Sequence, residues 1–324
     1  MDSGTGQAST VGSRGDAGPN WSSPEALSST RPSRRRGSRK VPSPYPYVFY
    51  LPAAVIYGIF FIIPTIVAFY FSLTRWTLFD SHFIGLDNFR EFFSDQSLRI
   101  GLKNTLIYAV ITSGLKVVLG MLFALLLTSQ LRSRGFLRSV VFFPVLVSTV
   151  AVGITFSVLL QPDTGLVSSA LSQVGYTSPD WLGNPHTALI AVALVDVWKG
   201  VGLATVIYIA GLASIPDHYY EAVAVDGGGA WRKFWSITLP LARPATFTVI
   251  LLSFIGGLRS FDLIWTMTGG GPGFSSDTIA SIIYKQYQAG FYGLATAGNI
   301  VLFILVSIIV FPLARYFRSR EVEV

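Results

Sequence analysis

Six long apolar stretches set the strongest limit on what this chain can fold into. We place them at about residues 48–73, 104–128, 136–160, 187–213, 245–267 and 294–317. A helix needs about 20 mainly apolar residues to cross a hydrocarbon layer of about 30 Å, and each stretch is long enough. A soluble protein with buried core helices is the alternative, but it does not explain why such lengths recur between short polar gaps. The sequence therefore predicts an all-α, polytopic integral membrane protein with six transmembrane helices.

Composition supports a membrane protein. Hydrophobic residues make up 51% of the chain, and charged residues make up 13%, against about 25% in a typical soluble domain. Pro52, Pro64 and Pro312 fall inside or at the ends of the stretches, where lipid-buried helices tolerate proline because neighbouring helices satisfy the freed backbone groups. The chain has no cysteine, so we expect neither disulfides nor thiol chemistry.

Lysine and arginine predict the orientation, because cytoplasmic loops retain them. They cluster before the first stretch, after the second, after the fourth and at the C-terminal end, which predicts that both termini are cytoplasmic. The first outer loop breaks the trend, but its basic residues lie among acidic ones. The cytoplasmic groups are Arg14, Arg31, Arg34, Arg35, Arg36, Arg39 and Lys40, then Arg132, Arg134 and Arg138, then Arg232, Lys233 and Arg243, and finally Arg315, Arg318 and Arg320.

The two ends of the chain differ from its middle. Residues 1–44 are rich in Ser, Gly, Pro and Arg, and this composition predicts a disordered, basic cytoplasmic tail. Its cluster RPSRRRGSRK either binds anionic membrane lipid or only fixes the topology. Residues 45–320 form the predicted transmembrane domain, and residues 321–324 are a short cytoplasmic tail. We expect no cleaved signal peptide, because the first apolar run is too long.

The polar segment 216–244, between the fourth and fifth stretches, has an amphipathic pattern. Tyr219, Ala222 and Val223 are spaced to share one face of a first helix. Three glycines at 227–229 then end that helix, at a cost of about 1 kcal/mol each relative to alanine. The pattern predicts a helix, a sharp turn and a second helix on the inner membrane surface, where a soluble partner binds.

The second predicted helix of this segment, residues 230–240, is aromatic. Trp231, Phe234, Trp235 and Ile237 mark its apolar face, and prolines at 240 and 244 end it before the fifth stretch. A glycine at the turn lets the backbone of another protein come close.

At these residues the sequence resembles the permease subunits of bacterial ABC importers, whose EAA motif reads roughly EAA, two residues, DGA, five residues, F, then I-x-LP. Two positions depart from that pattern, because Val223 and Gly228 replace alanines. We expect the docking helix to survive both exchanges and Gly228 to loosen the turn. The matching residues, which the resemblance implies couple the chain to an ATPase, are Glu221, Ala222, Asp226, Gly227, Phe234, Ile237, Leu239 and Pro240.

Other segments narrow the resemblance to the carbohydrate-uptake branch, similar to the first maltose-type permease subunit. The resemblance covers about residues 45–320 and implies half of a transport channel without a large outer insertion. It leaves open sugars and, as an alternative, glycerol phosphates. The segments are LPAAV at 51–55, FIGLDNF at 83–89, NTL at 104–106, DWLG at 180–183 and FDLIWTMTGGGP at 261–272.

The resemblance also implies partners: a second homologous permease subunit, two ATP-binding subunits and an extracytoplasmic solute-binding protein. We expect no nucleic-acid partner. The chain has no GxxxxGK[ST] phosphate loop, so we expect it not to be an enzyme, to hold no cofactor, and to leave ATP and Mg to the separate ATPase subunit. Closure of that ATPase would rock the permeases between states of alternating access.

Five ionisable residues lie inside the apolar stretches, and all but Lys116 are candidates for the transport path. Each costs about 2.5–3.5 kcal/mol at the bilayer centre, so it is usually paired or faces a cavity. Asp196 and Lys199, and likewise Arg259 and Asp262, are spaced to share a helical face. They are either structural ion pairs or, with Trp198 and Trp265 as stacking planes, part of a sugar path. Lys116 stands alone and is expected to reach for an interface.

Several other functions find little support in the sequence. The three histidines lie in three separate loops, which excludes a metal cluster, and no serine has a hydrolase setting. An ion-coupled secondary transporter would have no reason for the amphipathic segment. An intramembrane enzyme would need catalytic residues that are not found. Residues 268–278 are expected to be either a flexible outer loop where the binding protein rests or a plain hairpin loop.

Overall fold

The computed structural model describes residues 47–77, 79–129 and 132–318. The chain divides into two units, residues 1–52 and residues 53–324. Most of the first unit, including the predicted tail 1–44, lies outside the described residues, as does the predicted tail 321–324. The described part of the first unit starts with a 3-10 turn, Tyr47–Tyr50.

Most of the described chain is helical, as predicted. Four of them are long and apolar enough to cross a membrane, and two bent helix pairs raise the number to six if each pair is one span. The α-helices in order are α1 (Leu51–Tyr57), α2 (Ile63–Ser72), α3 (Asp87–Ser94), α4 (Gln96–Thr128), α5 (Arg134–Leu146), α6 (Thr149–Leu159), α7 (Leu166–Gln173), α8 (Ala188–Ala213), α9 (Asp217–Val225), α10 (Ala230–Lys233), α11 (Leu239–Leu241), α12 (Arg243–Leu258), α13 (Asp262–Met267), α14 (Ile279–Gln288) and α15 (Tyr292–Arg318).

Two helical joins and one hairpin complete the list. A π-helical turn, Gly58–Ile62, links α1 to α2, and a second, Phe234–Thr238, links α10 to α11. Strands β1 (Thr74–Trp76) and β2 (Ser81–Phe83) form a short antiparallel hairpin in which Arg75 is paired with His82. The first and last predicted spans agree with the structure within three residues, whereas α4 begins eight residues before the prediction. Its extra turns are capped by Asp95, whose Oδ1 accepts the backbone N–H of Ser97 at 2.7 Å.

The third predicted span, residues 136–160, is wrong as a single straight helix. The structure divides it into α5 and α6, which meet at an angle of 98°. Pro144 lies in the last turn of α5, where it removes one backbone donor and weakens the continuation of the helix. After the bend, α6 packs closely on α13, because Gly153 has no Cβ and Thr266 occupies the space that one would need.

The fifth predicted span, residues 245–267, is also wrong in its outer part. Helix α12 ends at Leu258, and α13 starts as a separate helix at Asp262. At the other end, α12 meets residues 230–241 at 65°. Pro244 occupies one of the first two positions of α12, where a proline fits because the N–H group there has no partner within the helix.

Helix α4 is the central element, and it packs on both α8 and α12. Small residues allow these contacts: a Cβ at Gly120 would lie 2.8 Å from the Cβ of Ala204, and one at Gly257 would lie 2.6 Å from the Cα of Ala109. Close backbone approach of this kind is typical of membrane helix packing. Among the described residues, Ser72 is the one side chain of α1 and α2 that is buried, so the apolar side chains of these helices are left for lipid or for a partner.

Candidate functional site

The predicted partner-binding segment, residues 216–244, folds as a helix, a turn and a second helix, as expected. None of the residues of α9 is buried. Tyr219 and Val223 are half-buried, as their predicted face requires, whereas Ala222 is exposed. The expectation for Ala222 was therefore wrong, and the half-buried Tyr220 takes its place on the inner face.

The exposed side of this segment carries the acidic residues. Glu221, Asp226 and Gly227 are all exposed, and the neighbouring Val225 is 89% exposed. A helix whose acidic and apolar residues both face away from the bundle is a suitable contact surface for another protein.

The turn after α9 is a Schellman motif. The N–H of Gly227 donates to the carbonyl oxygen of Ala224 at 3.0 Å, and the N–H of Gly228 donates to that of Val223 at 2.8 Å. Gly227 has φ of +73°, the left-handed conformation that this motif requires and that glycine adopts without strain. The turn is therefore hydrogen-bonded and well defined.

Gly228 and Val223, the two departures from the family pattern, touch each other. A Cβ at position 228 would overlap Cγ1 of Val223 and would lie 2.8 Å from the Val223 carbonyl oxygen. The larger side chain at 223 thus fills the space that the smaller residue at 228 leaves free. The N–H of Gly228 closes the Schellman motif, and its missing Cβ makes room for valine. That Gly228 loosens the turn stays a prediction.

Gly228→Ala should weaken the turn, and Val223→Ala in the same chain should restore part of it. The added methyl group overlaps the valine side chain, and overpacking of this kind costs about 1–3 kcal/mol. Shortening residue 223 removes that overlap but keeps the 2.8 Å approach to its carbonyl oxygen. We expect the single variant to lower the uptake rate several-fold and the double variant to regain part of the loss. Equal losses in both variants would contradict this coupling.

The second half of the segment ties it to the bundle. Phe234 and Leu239 pack against a buried cluster formed by α4, α8 and α12, which includes Tyr208 and Ala242. The Tyr220 hydroxyl also lies 3.2 Å from Oγ1 of the buried Thr238. Pro240 and Ile237 are half-buried beside this contact. The motif residues therefore divide into an exposed group on α9 and a packed group that reaches three long helices.

The charged candidates of the transport path are arranged differently from the prediction. Asp196 on α8 pairs with Lys116 on α4, with 2.8 Å between Nζ and Oδ2, and their side chains are only 10% (Lys116) and 20% (Asp196) exposed. Lys199 makes no ion pair among the described residues. The expectation that Lys116 reaches for an interface is wrong, since the chain fold brings together two helices that are 80 positions apart.

The Lys116–Asp196 pair has a tyrosine hydroxyl near Asp196 and a cavity beside Lys116. Gly200 lies against the Lys116 side chain, and a Cβ there would lie 2.6 Å from Cε. The hydroxyl of the fully buried Tyr108 lies near Asp196 and Ser260 but forms no hydrogen bond of ordinary geometry with the described residues. A cavity of about 110 Å³ adjoins Lys116 and is lined in part by Gly200, Ser253 and Gly256.

Arg259 and Asp262 do not share a helix. Arg259 caps the end of α12, and Asp262 begins α13. Both are exposed, and no ion pair joins them in the described chain. The break between the two helices explains why spacing along a continuous helix fails to predict this pair.

The two candidate tryptophans have different neighbours. Trp198 is 43% exposed and has Phe156 at 5.1 Å between ring centroids. Trp265 stacks on Phe261 at 5.7 Å and meets Tyr284 edge-on at 4.8 Å. Phe261 and Tyr284 line a cavity of about 400 Å³. The second group is therefore an aromatic wall with open space beside it.

The segment Thr268–Thr278 is buried at its C-terminal end, where Ser276 and Thr278 are inaccessible to solvent, and exposed at Phe274. Its flexibility stays a prediction. Asp277 is fully buried, and its carboxylate accepts hydrogen bonds from Ser281 and Lys285, both at 2.7 Å. Nδ2 of Asn104 donates to the Asp277 carbonyl oxygen at 2.9 Å. The sequence reasoning missed these residues, although the spacing of Thr278 and Ser281 before an apolar run is a helix-start signal.

Comparison with known proteins places this geometry in a family. The sequence model of one protein family, the inner membrane component of binding-protein-dependent transport systems, matches residues 116–322. The chain belongs to this family. It is accordingly a multi-pass membrane permease component of a binding-protein-dependent transporter, and the matched range includes the Lys116–Asp196 pair, the segment 216–244 and the loop 268–278.

Individual relatives cover most of the chain. The trehalose/maltose transport system permease protein MalF of Thermococcus litoralis is 35% identical over 262 residues, which are 80% of this chain and 89% of that protein. The multiple sugar-binding transport system permease protein MsmF of Streptococcus mutans is 30% identical over 84% of this chain and 94% of its own length.

A solved structure has the same fold. It is a bacterial alginate ABC transporter in complex with a periplasmic protein that holds an alginate pentasaccharide, and its matching chain superimposes with a TM-score of 0.75 at 25% identity. The match covers 84% of this chain and 93% of that chain. The similarity extends beyond the family match into the N-terminal half of the described structure.

Proposed function

We propose that this permease imports sugars and that its segment 216–244 receives mechanical work from a separate ATPase. The observation that carries the proposal is the division of the motif residues. Glu221, Asp226 and Gly227 face outward, whereas Phe234 and Leu239 pack into the cluster shared by α4, α8 and α12. A force applied to α9 therefore acts on three long helices through side-chain contacts.

The segment suits this role because its connections are short and well packed. The Schellman turn leaves no free loop between α9 and α10, and the Tyr220–Thr238 contact closes the hairpin at its base. Motion is transmitted through packed elements because protein interiors are close-packed and compress little. Two states of the bundle would then differ in their affinity for the ATPase, which is the condition for a population shift.

The proposed assembly contains a second homologous permease subunit, two ATP-binding subunits and an extracytoplasmic solute-binding protein. The alginate transporter, with its periplasmic protein, supports the last of these. ATP and Mg would bind the ATPase subunits, and both termini of this chain would lie in the cytoplasm. The basic loops after α4 and α9 support that orientation.

The sugar path would run past the two regions that the structure separates. One is the cavity beside Lys116, the ion-pair partner of Asp196; Trp198 and Lys199 follow Asp196 on α8. The other is the aromatic wall of Trp265, Phe261 and Tyr284, with Arg259 and Asp262 exposed at the adjacent helix break. Aromatic faces cover the C–H surface of a sugar, and charged groups bind its hydroxyls.

Sugar is the favoured substrate because both relatives named above are permeases of sugar systems by name. Glycerol phosphates are the alternative class. The melting temperature of the associated binding protein separates the two, since only the true ligand stabilises the folded state. A rise with glycerol phosphate and not with di- or oligosaccharides would overturn the sugar assignment.

The coupling role predicts that the ATPase is retained through Glu221. When the permease is purified by an affinity tag, we expect Glu221→Ala to lower the copurified ATPase at least several-fold, because an exposed charge at the contact surface is lost. Asp163→Ala, an exposed acid between α6 and α7, is the matched control. Full retention in the Glu221 variant, or uptake that persists without ATP while ion gradients are intact, would contradict the proposal.

A further inference from the structure

A groove between α5 and α8 is apolar along its walls and basic at one end, and it is separate from the residues of the proposed transport path. It encloses about 330 Å³, which lies within the range of about 300–1,000 Å³ typical of small-molecule sites. Its walls are mostly apolar and include Phe142 and Val206, and Leu127 of α4 also lines it. One end of the groove carries Arg138 and the hydroxyl of Ser139.

The groove is closed at its other end by direct helix contact. Gly202 of α8 touches the backbone of α5, where a Cβ would overlap the carbonyl oxygen of Val141 and would lie 3.0 Å from Cα of Phe142. From this contact the lining residues follow α8 through Val206 to Ile209, toward the end of α8 that leads into α9. The result is an apolar slot that opens toward the basic loop after α4.

The open end is positively charged, and no acid among the described residues forms an ion pair with its arginines. Nη2 of Arg138 donates to the carbonyl oxygen of Leu127 at 3.1 Å, near the C-terminal end of α4. Arg134 lies one turn earlier on the same helical face and is exposed, as is Arg132. The sequence contains no Asp or Glu in residues 120–146 or 200–214, the stretches that form the groove.

We infer that this groove binds an anionic membrane phospholipid, with an acyl chain in the slot and the phosphate at Arg138 and Arg134. The apolar walls of the groove suit the acyl chain of the lipid. The basic open end, on the proposed cytoplasmic side, suits an acidic headgroup. The inference uses the orientation given under the proposed function. It is distinct from the basic N-terminal cluster, which lies outside the described residues.

The test measures lipid bound to the purified transporter after reconstitution with phosphatidylglycerol and phosphatidylcholine in equal amounts. Native mass spectrometry should show phosphatidylglycerol enriched. Arg138→Gln should lower that enrichment about fivefold, since a basic residue near the surface contributes about 1 kcal/mol. Val206→Trp should fill the slot and lower both lipids. Arg315→Gln, an exposed arginine on the same predicted side, should change nothing.

Three results would overturn the inference: equal binding of both lipids by the unaltered protein, unchanged enrichment in Arg138→Gln, or displacement of the lipid by excess inorganic phosphate, which would indicate a site for free phosphate. A photoreactive residue in place of Val206 should crosslink to lipid. A crosslink to a peptide of a second permease subunit would assign the groove to a protein interface instead. The lipid assay uses neither ATP nor sugar, so its failure leaves the coupling test with Glu221→Ala unaffected.

Discussion

Gly227→Pro should abolish uptake while the protein still accumulates in the membrane. Gly227 has φ of +73°, which proline cannot adopt because its ring holds φ near −65°. The exchange also removes the N–H that donates to the Ala224 carbonyl oxygen. The turn must therefore open, and α9 loses its fixed position relative to the packed second half of the segment. We expect uptake of labelled sugar to fall more than tenfold.

Gly229 provides the matched control for this prediction. It belongs to the same glycine run, but its φ is −77°, and a Cβ there would meet no atom within 4 Å. Gly229→Ala should therefore transport at nearly the normal rate. We expect isolated membranes to contain equal amounts of the two variants, because the transmembrane bundle does not depend on the turn. Normal uptake by Gly227→Pro would exclude α9 as the element that transmits work.

Lys116→Met should destabilise the bundle strongly, because it leaves the Asp196 carboxylate without its partner. The two charges are 2.8 Å apart and largely shielded from solvent. Removing one member of a buried ion pair costs about 3–5 kcal/mol, whereas replacing both members by apolar residues is often neutral. We expect a marked fall in the thermal unfolding temperature in detergent for Lys116→Met, and near-normal stability for Lys116→Met combined with Asp196→Leu.

Uptake by the double variant separates the two interpretations of the pair. If the pair only holds α4 to α8, the double variant should regain transport together with stability. If Asp196 also lines the sugar path, stability should return while uptake stays low. For stability, Lys199→Met is the control, since Lys199 is half-exposed and has no ion pair in the described chain. Equal stability of Lys116→Met and the unaltered protein would contradict a structural role.

The parts of the structure that follow from local sequence were predicted well. The membrane helices can be predicted from the sequence because length and apolarity are properties of one continuous segment. The helix, glycine turn and second helix of residues 216–244 are predictable for the same reason, since a glycine such as Gly227 signals a left-handed turn in the sequence. The compensation between Val223 and Gly228 was not visible, because it depends on which atoms meet across the turn.

The pairing of charges could not be derived from spacing along the chain. Helical periodicity suggested Asp196 with Lys199, but the nearest opposite charge in space is Lys116 on another helix. In the same way, Arg259 and Asp262 lost their common face when the helix broke between them. The Asp277 network joins the loop before α14 to α4 through Asn104, and no local pattern connects those positions.

The amino-acid sequence by itself determined that this chain crosses a membrane as a helical bundle and carries an exposed, glycine-hinged segment between two spans. The hydrophobicity of a segment and the backbone preferences of its residues depend on neighbours in sequence, so both can be predicted from the sequence. Only the tertiary structure decided that Lys116 neutralises Asp196, that α5 and α6 meet at 98°, and that Phe234 and Leu239 tie the segment to α4, α8 and α12. Those outcomes depend on close packing between distant helices, where one missing Cβ or one opposed charge selects the neighbour.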